Sequence, residues 1–128
     1  MNTPGQVSSD GLTRSVLDSL LEGCQVLGFD WTYLYLNEAA ALQGRKPRDE
    51  LIGRSMLECY PGIDQTPMFE QLRRCMADRT HGRMDNEFTY PDGARGWFEL
   101  RFVPVPEGLC LFSLDITEKK LADDQRRR

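Results

Sequence analysis

The stretch GWFELRFVPVPEGLCLFSLDIT, residues 96–117, decides the fold. Two runs rich in aromatic and branched residues flank the turn-forming trio Pro106-Glu107-Gly108, so the stretch reads as two antiparallel strands over 96–105 and 108–116. Side chains alternate between the faces of a strand, which puts Phe98, Leu100 and Phe102 on one face and Trp97, Glu99, Arg101 and Val103 on the other. The first set is uniformly apolar and is expected to face the core. Just upstream, 84–90 has the same character, and Pro91-Asp92-Gly93 turns it into the next strand. Asn86, Phe88 and Tyr90, together with Leu109, Leu111 and Ser113 of the last strand, then share the core face.

Further toward the N-terminus, Thr66 followed by Pro67 places a cap residue and then proline at the first helical position. Met68, Phe69, Leu72, Cys75 and Met76 make an apolar stripe opposite Arg73, Arg74 and Asp78, and Leu72 and Met76 are expected to cover the core face of the strands. Between Cys24 and Asn37 the β-formers recur around a Gly28-Phe29-Asp30 turn, which reads as two short strands. Asn37 caps a short helix that Gly44 stops, a further turn covers Asp49-Glu50-Leu51-Ile52-Gly53, and Ser55-Met56-Leu57-Glu58 fits a capping box ended by Pro61-Gly62. Leu12, Val16, Leu17, Leu20 and Leu21 predict an amphipathic helix over 12–22, behind a flexible lead-in over 1–11. The tail, 117–128, is charged and helix-permissive. The order of elements predicts one α+β domain over 12–116, built on a five-stranded antiparallel sheet with short helices on one face.

With 128 residues, 40% of them apolar, the chain is long enough to stand on a single core without metal or disulfide staples. Sixteen basic residues against twenty acidic ones give a net charge of -4, which argues against phosphate-backbone binding, so no nucleic-acid partner is expected. Cys24, Cys59, Cys75 and Cys110 form no CxxC pair and read as free thiols of a reducing, cytoplasmic setting, with no metal site. The start resembles no signal peptide and no apolar run approaches ~20 residues, so no membrane contact is expected. His81, the single histidine, completes no catalytic set, and no phosphate-cradling glycine loop occurs, so an enzyme is not expected.

Six pieces in order, Tyr35-Leu36-Asn37-Glu38-Ala39-Ala40, Arg48-Asp49-Glu50-Leu51-Ile52-Gly53-Arg54, Tyr90-Pro91-Asp92-Gly93, Gly96-Trp97-Phe98-Glu99-Leu100-Arg101, Pro104-Val105-Pro106-Glu107-Gly108 and Asp115-Ile116-Thr117-Glu118-Lys119-Lys120, resemble the PAS sensory domains of bacterial signalling proteins. The resemblance implies the PAS fold and a sensor or interaction module whose sheet and short helices enclose a small cavity. It also implies that signals leave through the helix after Asp115, Ile116 and Thr117, toward an effector in the same parent protein: a histidine kinase, or alternatively a diguanylate cyclase. A ligand-free dimerisation module is the competing reading.

The candidate cavity lining is Tyr60, Leu72, Met76, Asn86, Phe88, Tyr90, Phe98, Leu100, Phe102, Leu111 and Ser113, which suits a small apolar or aromatic ligand. Met56 and Met68 join Met76 as adaptable lining, and the same side chains would equally fill a core. Haem is not expected, because His81 falls in a turn beyond the long helix. Flavin photochemistry is not expected either: the family's reactive cysteine shortly after Gly53-Arg54 is replaced here by Ser55-Met56-Leu57, and Cys59 reads as a core thiol. On the opposite sheet face, Glu87, Glu99 and Arg101 predict a cross-strand ion pair. Trp97, Cys110, Phe112 and Leu114 there are too apolar to stay wet, which predicts cover by the 12–22 helix or a second copy in a homodimer. Leu121 and Ala122 could begin a coiled-coil seam, but Arg126 stands where relatives often place a leucine.

Overall fold

A computed structural model describes residues 22–126. The lead-in over 1–11 and the amphipathic helix expected over 12–22 lie outside the described residues, Glu22 excepted. The elements run β1 (Gly23–Gly28), β2 (Tyr33–Leu36), α1 (Glu38–Gly44), α2 (Arg48–Leu51), α3 (Met56–Cys59), a 3-10 turn (Ile63–Gln65), α4 (Pro67–Asp78), β3 (Gly82–Thr89), β4 (Arg95–Val105), β5 (Gly108–Asp115) and α5 (Thr117–Arg126). The sheet order is β2-β1-β5-β4-β3, and every neighbouring pair is antiparallel. The first and last strands of the sequence thus lie side by side in the sheet.

Local chemistry accounts for most element ends. Asn37, fully buried, accepts from the Ala40 amide as the N-cap of α1 and from the Cys24 amide, while its own amide donates to the Glu22 carbonyl. One side chain therefore ties β1 to the start of α1. Ser55 caps α3 by accepting from the Leu57 amide, and Thr66 caps α4 by accepting from Phe69, with Pro67 at the first helical position. Arg79 ends α4 in the left-handed region and donates to the carbonyls of Gly108 and Val105, pinning the helix end to the β4–β5 turn.

Strand register follows the expected alternation. Leu100 lies opposite Met84 on one side and Ser113 on the other, and Phe102 lies opposite Leu111. Phe98, Leu100, Phe102, Leu109 and Leu111 are buried on the face that meets the helices. The five apolar residues of the α4 stripe are all buried, and α4 packs on β3, β4 and β5.

The cross-strand ion pairing expected on the outer face forms at Glu87 and Glu99, with Arg95 and Arg83 as the cations and Arg101 paired off the sheet. Glu99 pairs with Arg83 at 2.8 Å, Glu87 with Arg95 at 3.9 Å and Arg101 with Glu22 at 2.7 Å. Register is the reason: Arg101 faces Arg83 and Glu99 faces Asp85, so each seeks an opposite charge diagonally or off the sheet. Cys110 is buried, Trp97 and Phe112 are half-buried, and Leu114 stays 41% exposed. All four cysteines are free thiols, with the sulfurs of Cys24 and Cys110 3.8 Å apart on neighbouring strands. Among the described residues, no helix is long and apolar enough to cross a membrane, and no group of three or more His, Cys, Asp or Glu is placed to hold a metal ion.

Candidate functional site

Between the sheet and the short helices lies an inner cavity of about 90 Å³. Seven of the residues expected around it surround it: Tyr60, Asn86, Phe88, Phe98, Leu100, Leu111 and Ser113. Four others are placed differently. Leu72, Met76 and Phe102 pack in the solid core, because the twelve-residue α4 lies flat on that end of the sheet and leaves no space against it. Tyr90 lies outside the inner cavity and lines an outer groove of about 560 Å³. Its strand ends at Thr89, so its ring swings out toward α1, where its hydroxyl donates to the Gln43 carbonyl at 2.6 Å.

Tyr60 makes the matching bond, its hydroxyl donating to the Gly44 carbonyl at 3.1 Å. A side chain at Gly44 would sit 2.3 Å from that hydroxyl, so the helix-stopping glycine also makes room for the tyrosine. Phe88 stands edge-on to both rings, with centroids 6.1 Å from Tyr60 and 5.0 Å from Tyr90. Burial, with the neighbouring Cys59 thiol a smaller cause, pushes the Tyr60 phenol up to about 12, and burial pushes Tyr33 up further. Both phenols stay protonated at neutral pH, and that of Tyr60 donates to Gly44.

A polar bridge crosses the cavity wall. The Gln43 side-chain amide donates to the Ser113 carbonyl at 3.0 Å, and the Ser113 hydroxyl donates to Gln43 Oε1. Gly23 lies against this bridge, and a methyl there would come within 2.4 Å of Ser113 Oγ. Two residues beyond Ser113, Asp115 accepts from both the amide and the hydroxyl of Thr117. The Trp97 amide donates to Thr117 Oγ1 at 3.0 Å, and the Ile116 amide donates to the Trp97 carbonyl at 2.8 Å. The first turn of α5 is held in turn by Lys120, 3.1 Å from Asp85 and lying over the Trp97 ring. Asp115, Ile116 and Thr117 thus form one hydrogen-bonded joint between β5 and α5.

The cavity wall also holds residues outside the expected lining, among them Gln25, Tyr33, Gln43 and Ile63. Gln25 shares strand parity with Leu27, and Gln43 falls three residues after buried Ala40, so both periodicities carried a signal. His81 is exposed between α4 and β3, away from the cavity. Cys59 is half-buried, packing against the core on one side and lining the outer groove on the other, and burial raises its thiol pKa.

The pattern of the PAS fold matches residues 17–121. No curated protein matches the sequence. Among solved structures, a domain of the sensory box sensor histidine kinase/response regulator from Geobacter sulfurreducens is 17% identical, with a TM-score of 0.69 over 89% of this chain and 100% of that one. An RNA-binding Light-Oxygen-Voltage receptor is 18% identical, with a TM-score of 0.76 over 99% of this chain but 39% of that one. The Vibrio cholerae VqmA dimer, described in the absence of its target DNA, is 20% identical, with a TM-score of 0.70 over 84% of this chain and 52% of that one.

Proposed function

This chain belongs to the PAS-fold family, and from that premise we propose that it is a sensory input module whose cavity takes a small ligand and whose occupancy is relayed to α5. The observation that carries this reading is the Gln43–Ser113 bridge, which joins a cavity wall to β5 two residues before the joint at Asp115. A ligand that prefers one arrangement of this bridge shifts the population of the joint, and it can do so only through unequal affinity for the two states. The chain itself acts without catalysis, in the cytoplasm, as the input to an effector in its parent protein. A histidine kinase is the favoured effector, by likeness to the Geobacter sulfurreducens domain.

The expectation of no nucleic-acid partner is withdrawn for a longer protein carrying this domain. It rested on net charge alone, whereas two similar structures belong to receptors described as binding RNA or DNA. Haem and flavin remain outside the proposal, since among the described residues the wall of the inner cavity carries neither imidazole nor thiol and its 90 Å³ falls well below the ~300 Å³ of ordinary cofactor pockets.

That small volume favours a second reading, a dimerisation module that senses nothing. Native mass spectrometry and a thermal-shift screen of the full chain separate the two. A retained small molecule or a stabilising compound supports the sensor; neither, with a dimeric mass by light scattering, replaces it with the structural module.

A further inference from the structure

The inner cavity and the outer groove share Tyr60, Ile63, Met68, Asn86 and Phe88 as a common wall, so the groove is the mouth of the cavity. Each tyrosine at this mouth carries a cation above its ring. The Arg45 guanidinium lies 3.7 Å from the Tyr90 centroid, and the Lys46 ammonium lies 5.6 Å from that of Tyr60. The two cations are not equivalent. Arg45 is engaged by Asp92 at 3.1 Å, whereas Lys46 forms no ion pair among the described residues. The acid in the groove wall, Glu87, turns to Arg95. With Arg45 paired to Asp92 and Glu87 to Arg95, the mouth keeps one cation without an ion pair among the described residues, Lys46, set among aromatic faces.

An anion at Lys46 would gain a charge-assisted hydrogen bond at a half-buried site, where water screens it less than on an open surface. A ring attached to that anion would replace water against Tyr60 and Phe88, in the edge-on geometry these rings already adopt with each other. The inner space of about 90 Å³ is smaller than the ~150 Å³ engineered void that holds a benzene, so a ring enters only as Phe88 or Tyr60 swings toward the groove. Resting on the sensor reading above, we infer that this site takes a small aromatic monocarboxylate, its ring at Phe88 and its carboxylate on Lys46.

The test is calorimetric titration of the full chain with phenylacetate and with its neutral counterpart phenylacetamide, in wild type, Lys46→Gln and Lys46→Arg. Phenylacetate is expected to bind wild type about tenfold more tightly than the amide; Lys46→Gln loses that preference and Lys46→Arg keeps it. Equal affinities in wild type, or a preference unchanged in Lys46→Gln, overturn the carboxylate assignment while the bound amide leaves the sensor pocket standing. Binding of neither probe overturns it as well. In that case a neutral molecule retained in native mass spectrometry preserves the sensor reading, and a cavity that admits no compound at all removes both.

Discussion

The two ends of the helix-covered sheet face are built from the same alternation and filled differently. Under α4, Phe102, Leu72 and Leu109 have no exposure, and one twelve-residue helix buries five apolar side chains. Beside α1 and α3, elements of seven and four residues cover the sheet, and the side chains that meet there include Gln25, Gln43, Asn86 and Ser113. Short helices present few side chains to one plane, and polar residues pack less tightly than branched ones. The solid end holds the domain together, and the hollow end has room to respond.

The sharpest way to break this contrast is to truncate one aromatic ring at each end. Phe102→Ala, in the solid end, is expected to lose about 3–5 kcal/mol in urea unfolding, as for other fully buried rings. Phe88→Ala, half-buried at the cavity mouth, is expected to lose less than about 2 kcal/mol, because little space is newly emptied. Similar losses at both positions would erase the distinction.

The hollow end also has its own pH signature. An unfolded chain releases a tyrosine proton near ~10, while folded Tyr60 holds its proton to about 12. The unfolded state therefore binds fewer protons between these values, and stability that is fully present below pH 10 falls as pH rises toward 12. The loss attributable to Tyr60 is about 1 kcal/mol after discounting for solvent reaching a half-buried ring. Urea midpoints of wild type and Tyr60→Phe at pH 8 and 10.5 check it: the variant should show the shallower decline.

The solid end was legible in the sequence because it obeys simple periods. Thr66-Pro67 and the stripe through Leu72 fix α4, and Phe98, Leu100 and Phe102 fix the core face of β4. The sheet order was not legible: nothing local places β1 beside β5, since that pairing joins residues 80 to 90 positions apart. The site was half-legible for the same reason. Asn86, Phe98 and Ser113 follow from strand parity, but Phe102 shares that parity with Phe98 and is filled in because α4, through Leu72 and Met76, covers its end of the sheet. Gln43 and Gly44 looked like the end of a helix, and their role depends on where Tyr60, Tyr90 and Ser113 arrive from elsewhere in the chain.

The central claim is that the cavity wall and the β5–α5 joint are one connected device, and amide hydrogen exchange tests it most directly. Gln43→Met keeps the side-chain length and removes both bonds to Ser113, each worth about 1 kcal/mol. The account predicts severalfold faster exchange at the Ile116 and Lys120 amides, which bond to Trp97 and Ile116, with the α4 amides unchanged. Unchanged exchange at Ile116 and Lys120, or equal acceleration throughout the domain, would contradict it.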